Sequence, residues 1–140
     1  MRILSIDYGK KRTGIAVTDP LQIIANGLAT VDTSKLMEFL KDYCQREEVE
    51  KIVIGEPFQP NGQPSENLQR VRSFVGQLKK EMPEMPIVMY DERFTSVIAH
   101  RTMIDAGLHR KARQNKALVD EISATIILQD YMESSRMPTL

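Results

Sequence analysis

Near its start the chain reads Ile3-Leu4-Ser5-Ile6-Asp7-Tyr8-Gly9-Lys10-Lys11-Arg12, a short apolar run that ends on a carboxylate. A charge at the end of a buried strand is costly unless a cation or hydrogen-bond donors meet it. Gly9 lacks the side chain that would keep a ligand away from the backbone. An acid, a glycine and three cations this close together suit a metal ion and a phosphate in one place. A polar hairpin turn that begins with Asp is the simpler alternative.

The composition limits what kind of protein this can be. The chain has 140 residues, a length that fits one domain, and its 19 basic and 19 acidic residues balance. Balanced charge argues against a protein that coats long nucleic acid, but it leaves room for a local basic site. Cys44 has no partner cysteine, and no apolar run reaches the roughly 18 residues of a membrane helix. We therefore expect a cytoplasmic protein with no membrane contact.

The hydrophobic pattern predicts three strands followed by alternating helices and strands. Such an order predicts a mixed sheet with helices on its faces. We expect one domain over residues 1–133, a bend or bulge at Asn26-Gly27, a loop over 56–64 and a flexible tail over 134–140. The predicted strands cover residues 2–7, 13–18, 23–31, 51–55 and 87–90, and the predicted helices contain Leu36–Tyr43 and Leu68–Leu78 and cover 95–106 and 116–133.

Acidic residues stand at the ends of three predicted strands. Asp7, Glu56 and the pair Asp91-Glu92 each follow an apolar run. Ligands of open α/β sheets collect beyond the carboxyl ends of the parallel strands, so these are the positions where chemistry is expected. Asp91 and Glu92 are neighbours on a strand and point to opposite faces. The pattern alone does not choose between them, and Arg93 offers Asp91 a simple ion pair.

Asp120 is a further candidate, on the predicted last helix. Ala124, Ile127, Leu128 and Tyr131 follow it at offsets of 4, 7, 8 and 11, which define one helix face. Asp120 therefore continues an apolar stripe that should face the sheet. The alternative is an acid that stabilises the helix start through the helix dipole, which the neighbouring Glu121 could do equally well.

Carboxylates that converge in a partly buried site need cations. The sequence has no cysteine pair or clustered histidines, so zinc is disfavoured, and an all-oxygen ligand set suits Mg²⁺ or Mn²⁺. One or two such ions would serve phosphodiester cleavage. A basic run without acids lies between Asp105 and Asp120, which favours contacts with a nucleic-acid backbone over a merely solvated loop. Its cations are Arg110, Lys111, Arg113 and Lys116.

Four motifs together resemble the YqgF/RuvX family over residues 1 to about 133. They are Asp7-Tyr8-Gly9 with Gly14–Val17, Gly55-x-Pro57 with Gly62, Asp91–Ser96, and Val119-Asp120 with Ala124 and Ile126–Leu128. The resemblance implies a ribonuclease H-like α/β fold, with a mixed five-stranded sheet and helices on both faces. Family members are described as candidate nucleases that process the 5′ end of the precursor of small-subunit (16S) ribosomal RNA. They are also called Holliday-junction resolvase-like.

The resemblance also implies roles for individual residues. It makes Asp7, Glu92 and Asp120 the catalytic metal ligands, and so selects Glu92 over Asp91. We add a nucleic-acid-binding set at the turn, after the third acid and in the basic run. It comprises Gly9, Lys10, Lys11, Arg12, Arg93, Arg110, Lys111, Arg113 and Lys116.

Two departures from the family pattern leave questions open. Glu56 stands where the family usually has an apolar residue, and it either belongs to a solvent-facing loop or adds a carboxylate to the site. Residues 58–62 also differ from the usual loop. We expect a metal-dependent endonuclease acting on precursor ribosomal RNA. The alternatives are a resolvase of structured DNA and a non-catalytic ribosome or transcription partner, and the protein is expected to be a monomer or a homodimer.

Overall fold

The computed structural model describes residues 1–58, 61–63, 65–91 and 116–136. Within these ranges the chain forms five strands and three helices, with a short 3₁₀ turn at Thr33–Lys35 before the first helix. No helix in this part of the chain is both long and apolar enough to cross a bilayer. The elements are β1 (Arg2–Asp7), β2 (Arg12–Thr18), β3 (Ala25–Asp32), α1 (Leu36–Arg46), β4 (Val49–Glu56), α2 (Glu66–Glu81), β5 (Ile87–Asp91) and α3 (Lys116–Arg136).

The strands form one mixed sheet in the order β3-β2-β1-β4-β5. The first three strands make an antiparallel meander, and β4 and β5 join it in parallel with β1. The carboxyl ends of β1, β4 and β5 therefore lie along the same edge of the sheet. In the register, Ile6 of β1 is opposite Ile54 of β4, and Glu56 is opposite Asp91 of β5.

Alternation along β1 divides the core between the two faces of the sheet. Leu4 and Ile6 pack in the cluster that α1 and α2 cover, whereas Ile3 packs in the cluster that α3 covers. Ser5 and Asp7 share the face of Ile3, because side chains two residues apart point the same way. The predicted two-sided α/β architecture is therefore confirmed.

Several strand ends differ from the prediction by one or two residues, and three differences bear on the bend, the loop and the last helix. The register shift in β3 falls at Leu28, one residue beyond the predicted Asn26-Gly27 bend. Glu56 is the last residue of β4 and does not belong to a loop. Helix α3 continues to Arg136, three residues past its predicted end. The predicted helix over 95–106 and the basic run over 110–115 lie outside the described residues.

Candidate metal and nucleic-acid site

Two of the predicted carboxylates, Asp7 and Asp120, come together at the edge where β1 ends. A buried hydrogen bond sets their relative position: Ser5 Oγ donates to the carbonyl oxygen of Ala124 at 2.6 Å. Asp7 is two strand residues beyond Ser5, or about 6.6 Å, and Asp120 is four helix residues before Ala124, or about 6 Å. Because α3 runs against the direction of β1, both steps lead toward the same edge of the sheet.

The first turns of α3 pack directly against the backbone of Gly14 on β2. It pairs with Asp7 across the antiparallel strands. A Cβ atom on Gly14 would lie 2.0 Å from the carbonyl oxygen of Asp120, far inside van der Waals contact. Only glycine lets the helix backbone approach the sheet this closely. The contact brings Asp120 over the strand pair that carries Asp7.

The electrostatics of Asp7 and Asp120 favour the binding of a cation between or beside them. Burial and, second, the negative charge of Asp120 raise the pKa of Asp7 from 3.8 to about 7. A carboxyl group in this environment is poorly solvated and stands beside a like charge, so its ionised form is unfavourable without a counter-charge. A bound divalent ion would supply that charge and favour the ionised form.

Arg12 provides part of the balancing charge in the protein itself. Its Nε lies 3.1 Å from Oδ2 of Asp120, and the two side chains are 39% and 23% exposed. Arg12, predicted to contact nucleic acid, is therefore paired with one of the site's own carboxylates. Both side chains of the pair remain partly exposed to solvent.

The turn between β1 and β2 is tightly built and carries two exposed lysines. A Cβ atom on Gly9 would lie 2.2 Å from the carbonyl oxygen of Arg12, so the turn requires glycine here for packing. Thr33 Oγ1 donates to the carbonyl oxygen of Gly9 at 2.6 Å and fixes the turn from the side of α1. Lys10 and Lys11 are exposed at its tip, where a nucleic-acid backbone could reach them.

Glu56 does not join the carboxylate pair. It follows Ile52 and Ile54 at strand spacing, and these pack on the α1 and α2 side of the sheet. Its carboxylate lies 3.9 Å from Nη2 of Arg72 on α2, and its side chain is 20% exposed. Both alternatives considered for Glu56 are therefore wrong: it is neither in a loop nor a further carboxylate beside Asp7. It is a strand residue paired on the opposite face.

Several predicted site residues lie outside the part of the chain that the structure describes. These are Glu92, Arg93, Arg110, Lys111 and Arg113, and Lys116 is described only as the first residue of α3. Within the described ranges, no three acidic, histidine or cysteine side chains gather as a metal-binding group. The part of the candidate site that the structure describes thus consists of Asp7, Asp120 and Arg12.

Sequence reasoning missed two residues that shape this edge. Asn67 at the start of α2 donates from Nδ2 to the carbonyl oxygen of Tyr8 at 2.7 Å, which holds the backbone directly after Asp7. The Tyr8 ring packs against Phe74, with ring centroids 5.1 Å apart. Tyr8 stood inside the first motif, but a single aromatic residue after an acid carries no recognisable signal.

Two solved structures of nucleic-acid enzymes share this fold. A fowlpox virus resolvase, solved with Holliday junction DNA, matches with a TM-score of 0.61 and 16% identity, covering 98% of this chain and 100% of that one. Thermus thermophilus RuvC, solved with a Holliday junction substrate, matches with a TM-score of 0.57 and 17% identity, covering 96% of each chain. At these identities the likeness concerns the fold, and it confirms the predicted ribonuclease H-like class.

The amino-acid sequence also matches a protein family and individual relatives at much higher identity. The RuvX family model, described as a Holliday junction resolvase, matches residues 1–134. A Phocaeicola vulgatus protein named as a candidate pre-16S rRNA nuclease is 62% identical over 135 residues, which are 96% of this chain and 97% of that one. A Flavobacterium johnsoniae protein of the same name is 59% identical over 135 residues, 96% of this chain and 98% of its own length. The chain belongs to the RuvX family.

Proposed function

We propose that this protein is a metal-dependent endonuclease that hydrolyses phosphodiester bonds in the precursor of 16S ribosomal RNA. The observation that carries the proposal is the crowding of two carboxylates at the sheet edge, where burial and Asp120 raise the pKa of Asp7 to about 7. Asp120 is paired with Arg12, but Asp7 is poorly solvated and stands beside a like charge, an arrangement that becomes more favourable when a cation binds. The names of the relatives point to the same activity.

Glu92 is the third carboxylate in this proposal. Ile87 and Met89 of β5 pack with the α1 and α2 cluster, while Val88 and Tyr90 pack with the α3 cluster. Asp91 therefore falls on the face of α1 and α2, away from Asp7. The next residue of a strand that continued in the same way would point to the face of Asp7. This alternation and the family resemblance both support Glu92 over Asp91.

The residues present fit Mg²⁺ or Mn²⁺ as the cofactor. Asp7 and Asp120 offer hard oxygen ligands, which these ions prefer, and a carboxylate from Glu92 would complete the set. When bound, such an ion would polarise the scissile phosphate and lower the pKa of the attacking water. The chain's own residues hold this chemistry in place. The Ser5 to Ala124 hydrogen bond and the Gly14 contact fix the distance between β1 and α3.

Cations around the site would bind the RNA backbone. Lys10 and Lys11 are exposed at the β1–β2 turn, and Arg12 is partly exposed beside Asp120. Phosphate contacts position the substrate without reading its sequence. Gly9, whose missing side chain makes room for the carbonyl oxygen of Arg12, would contact the RNA only through its backbone. In this proposal Arg93, Arg110, Lys111, Arg113 and Lys116 extend the contact beyond the described residues, and the protein works in the cytoplasm as a monomer or homodimer.

One cleavage assay on two nucleic acids distinguishes the RNA substrate from the DNA alternative. Purified protein is incubated with precursor 16S RNA and, separately, with a four-way DNA junction, in Mg²⁺, in Mn²⁺ and in chelator. We expect cleavage near the 5′ end of the RNA that requires the ion, with little cleavage of the junction. Symmetric cleavage of the junction alone would support the resolvase alternative, which corresponds to the description of the family as a Holliday junction resolvase. Cleavage of neither would support a non-catalytic partner.

A further inference from the structure

A pocket opens beside the carboxylate edge on the opposite face of the sheet. It has a volume of about 270 Å³ and lies between the end of β1 and α2. This is slightly below the range of about 300 to 1,000 Å³ that is usual for ligand pockets, and it leaves room for no more than a single ring system. Its lining residues are Tyr8, Gln69, Arg70, Ser73, Phe74 and Gln77, and we call it the Tyr8 pocket.

Two contacts position Tyr8 in this pocket. Asn67 anchors its carbonyl oxygen, and Phe74, itself only 7% exposed, supports its ring at a tilt of 33°. Tyr8 nevertheless remains partly exposed. An aromatic ring that is positioned by such contacts and is still partly exposed offers a surface on which a flat ligand can stack.

The other side chains that line the pocket are polar and can form hydrogen bonds with the edge of a base. The side chains of Gln69, Ser73 and Gln77 carry amide and hydroxyl groups, and Gln69 and Gln77 are exposed. Amide groups both donate and accept hydrogen bonds, as base edges do. The exposed Arg70 can meet the phosphate of the same nucleotide. Stacking surface, edge-reading groups and a cation are the elements with which proteins bind unpaired bases.

We propose that the Tyr8 pocket holds an unpaired nucleobase of the RNA strand that is cleaved at Asp7 and Asp120. This inference rests on the proposed nuclease function and adds the form of the substrate. Tyr8 directly follows Asp7 in the chain, with Cα atoms about 3.8 Å apart and side chains on opposite faces of the sheet, so the bound base belongs to a nucleotide that flanks the scissile phosphate across the sheet edge. A base paired within a duplex is stacked on its neighbours and cannot enter the pocket. Cleavage should therefore require unpaired nucleotides at this point.

Fluorescent RNA can test the stacking directly. A short single-stranded RNA carries 2-aminopurine at successive positions, and it is bound by protein with Asp120→Asn so that it stays intact. We expect quenching at one or two adjacent positions. Adding Tyr8→Leu should abolish the quenching and weaken binding about 5-fold or more, whereas Tyr8→Phe should keep both. Phe39→Leu, which removes a ring from the Phe39–Tyr43 pair on α1, is the matched control and should change neither.

Two further arms separate this proposal from its alternatives. Fully paired RNA of the same sequence should bind with equal affinity to the Tyr8→Leu variant and to the protein that keeps Tyr8. If Tyr8→Leu lowers the affinity for paired and unpaired RNA by the same factor, the stacking proposal is overturned. Because Tyr8→Leu also removes packing against Phe74, the exposed Arg70→Ala and Gln77→Leu are tested as well, and wild-type binding by both would contradict it. If the wild-type protein shows ion-dependent cleavage while Tyr8→Leu binds and quenches normally, the pocket proposal fails and the nuclease proposal stands.

Discussion

The carbonyl oxygen of Asp120 lies 2.0 Å from the position that a Cβ atom on Gly14 would occupy. This contact joins the last helix to the strand that pairs with Asp7. Gly14 has no reactive group, yet through this contact it determines how Asp120 is placed relative to Asp7. Any side chain at Gly14 has to push α3 away from the sheet, and Asp120 moves with it.

The first prediction follows from this contact. Gly14→Ala should destabilise the protein by about 1–3 kcal/mol, since a methyl group is forced into backbone atoms. It should also weaken Mn²⁺ binding in calorimetry, because α3 carries Asp120. Gly76→Ala is the matched control: a Cβ there meets nothing within 4 Å, in the middle of α2. It should stabilise the protein by about 0.5–1 kcal/mol. Equal effects of the two substitutions would show that the contact is not rigid.

The second prediction concerns the pH dependence of stability without metal. Asp7 has a folded pKa of about 7 against an ordinary 3.8, so the folded state binds the proton more tightly. The free energy of unfolding should therefore fall as pH rises from about 4 to 7 and level off above. Asp7→Asn should flatten this fall and make the protein more stable than wild type at pH 8. Urea unfolding in chelator at pH 5 and pH 8 measures both effects.

Asp19 gives the control of opposite sign for that experiment. Its carboxylate accepts backbone N–H bonds from Ile24, Ile23 and Leu21, and these lower its pKa. Its contribution is present at neutral pH and disappears as pH falls through the lowered pKa. Asp19→Asn should therefore destabilise the protein at pH 8, where Asp7→Asn stabilises it. Destabilisation by both would mean that the ionised Asp7 is stabilised by a cation of the protein itself.

The third prediction separates Asp120 from its neighbour Glu121. Asp120→Ala should abolish cleavage and weaken Mn²⁺ binding, because its carboxylate lies at the site with Arg12. The Glu121 side chain instead lies over Gly27 of β3, where a Cβ on that glycine would be 3.4 Å from Cβ of Glu121. Glu121→Ala should retain most of both. The reverse pattern would remove Asp120 from the site.

The fourth prediction concerns the exposed lysines of the β1–β2 turn. Lys10→Ala with Lys11→Ala should weaken RNA binding and reduce the slope of log affinity against log salt by about 0.7–0.9 for each phosphate that the protein no longer neutralises. Lys79→Ala with Lys80→Ala removes the same charge from the end of α2, where both lysines are exposed, and should lower affinity much less. Identical slopes for the two double variants would mean that overall charge alone sets RNA affinity.

Much of this site could be predicted from periodicity. The period of two along β1 and the helical offsets from Asp120 each assign a residue to one face of its own element. What periodicity could not supply is how the faces of separate elements match, since strand register and helix docking arise from contacts between distant parts of the chain. Glu56 illustrates this: it ends a strand as Asp7 does, yet it lies on the other face with Arg72. The pairing of Arg12 with Asp120 is another such long-range contact.

We expect Asp7 and Asp120 to hold a divalent ion that the protein needs in order to cleave RNA. The rate of cleavage of precursor 16S RNA by wild-type protein and by Asp7→Asn is measured in Mn²⁺. The thermal midpoints of both proteins are recorded in chelator at pH 8, because bound Mn²⁺ would itself stabilise the wild-type protein. We predict that Asp7→Asn folds at least as stably as wild type, loses cleavage and binds Mn²⁺ more weakly. Wild-type cleavage by a well-folded Asp7→Asn protein would contradict the claim.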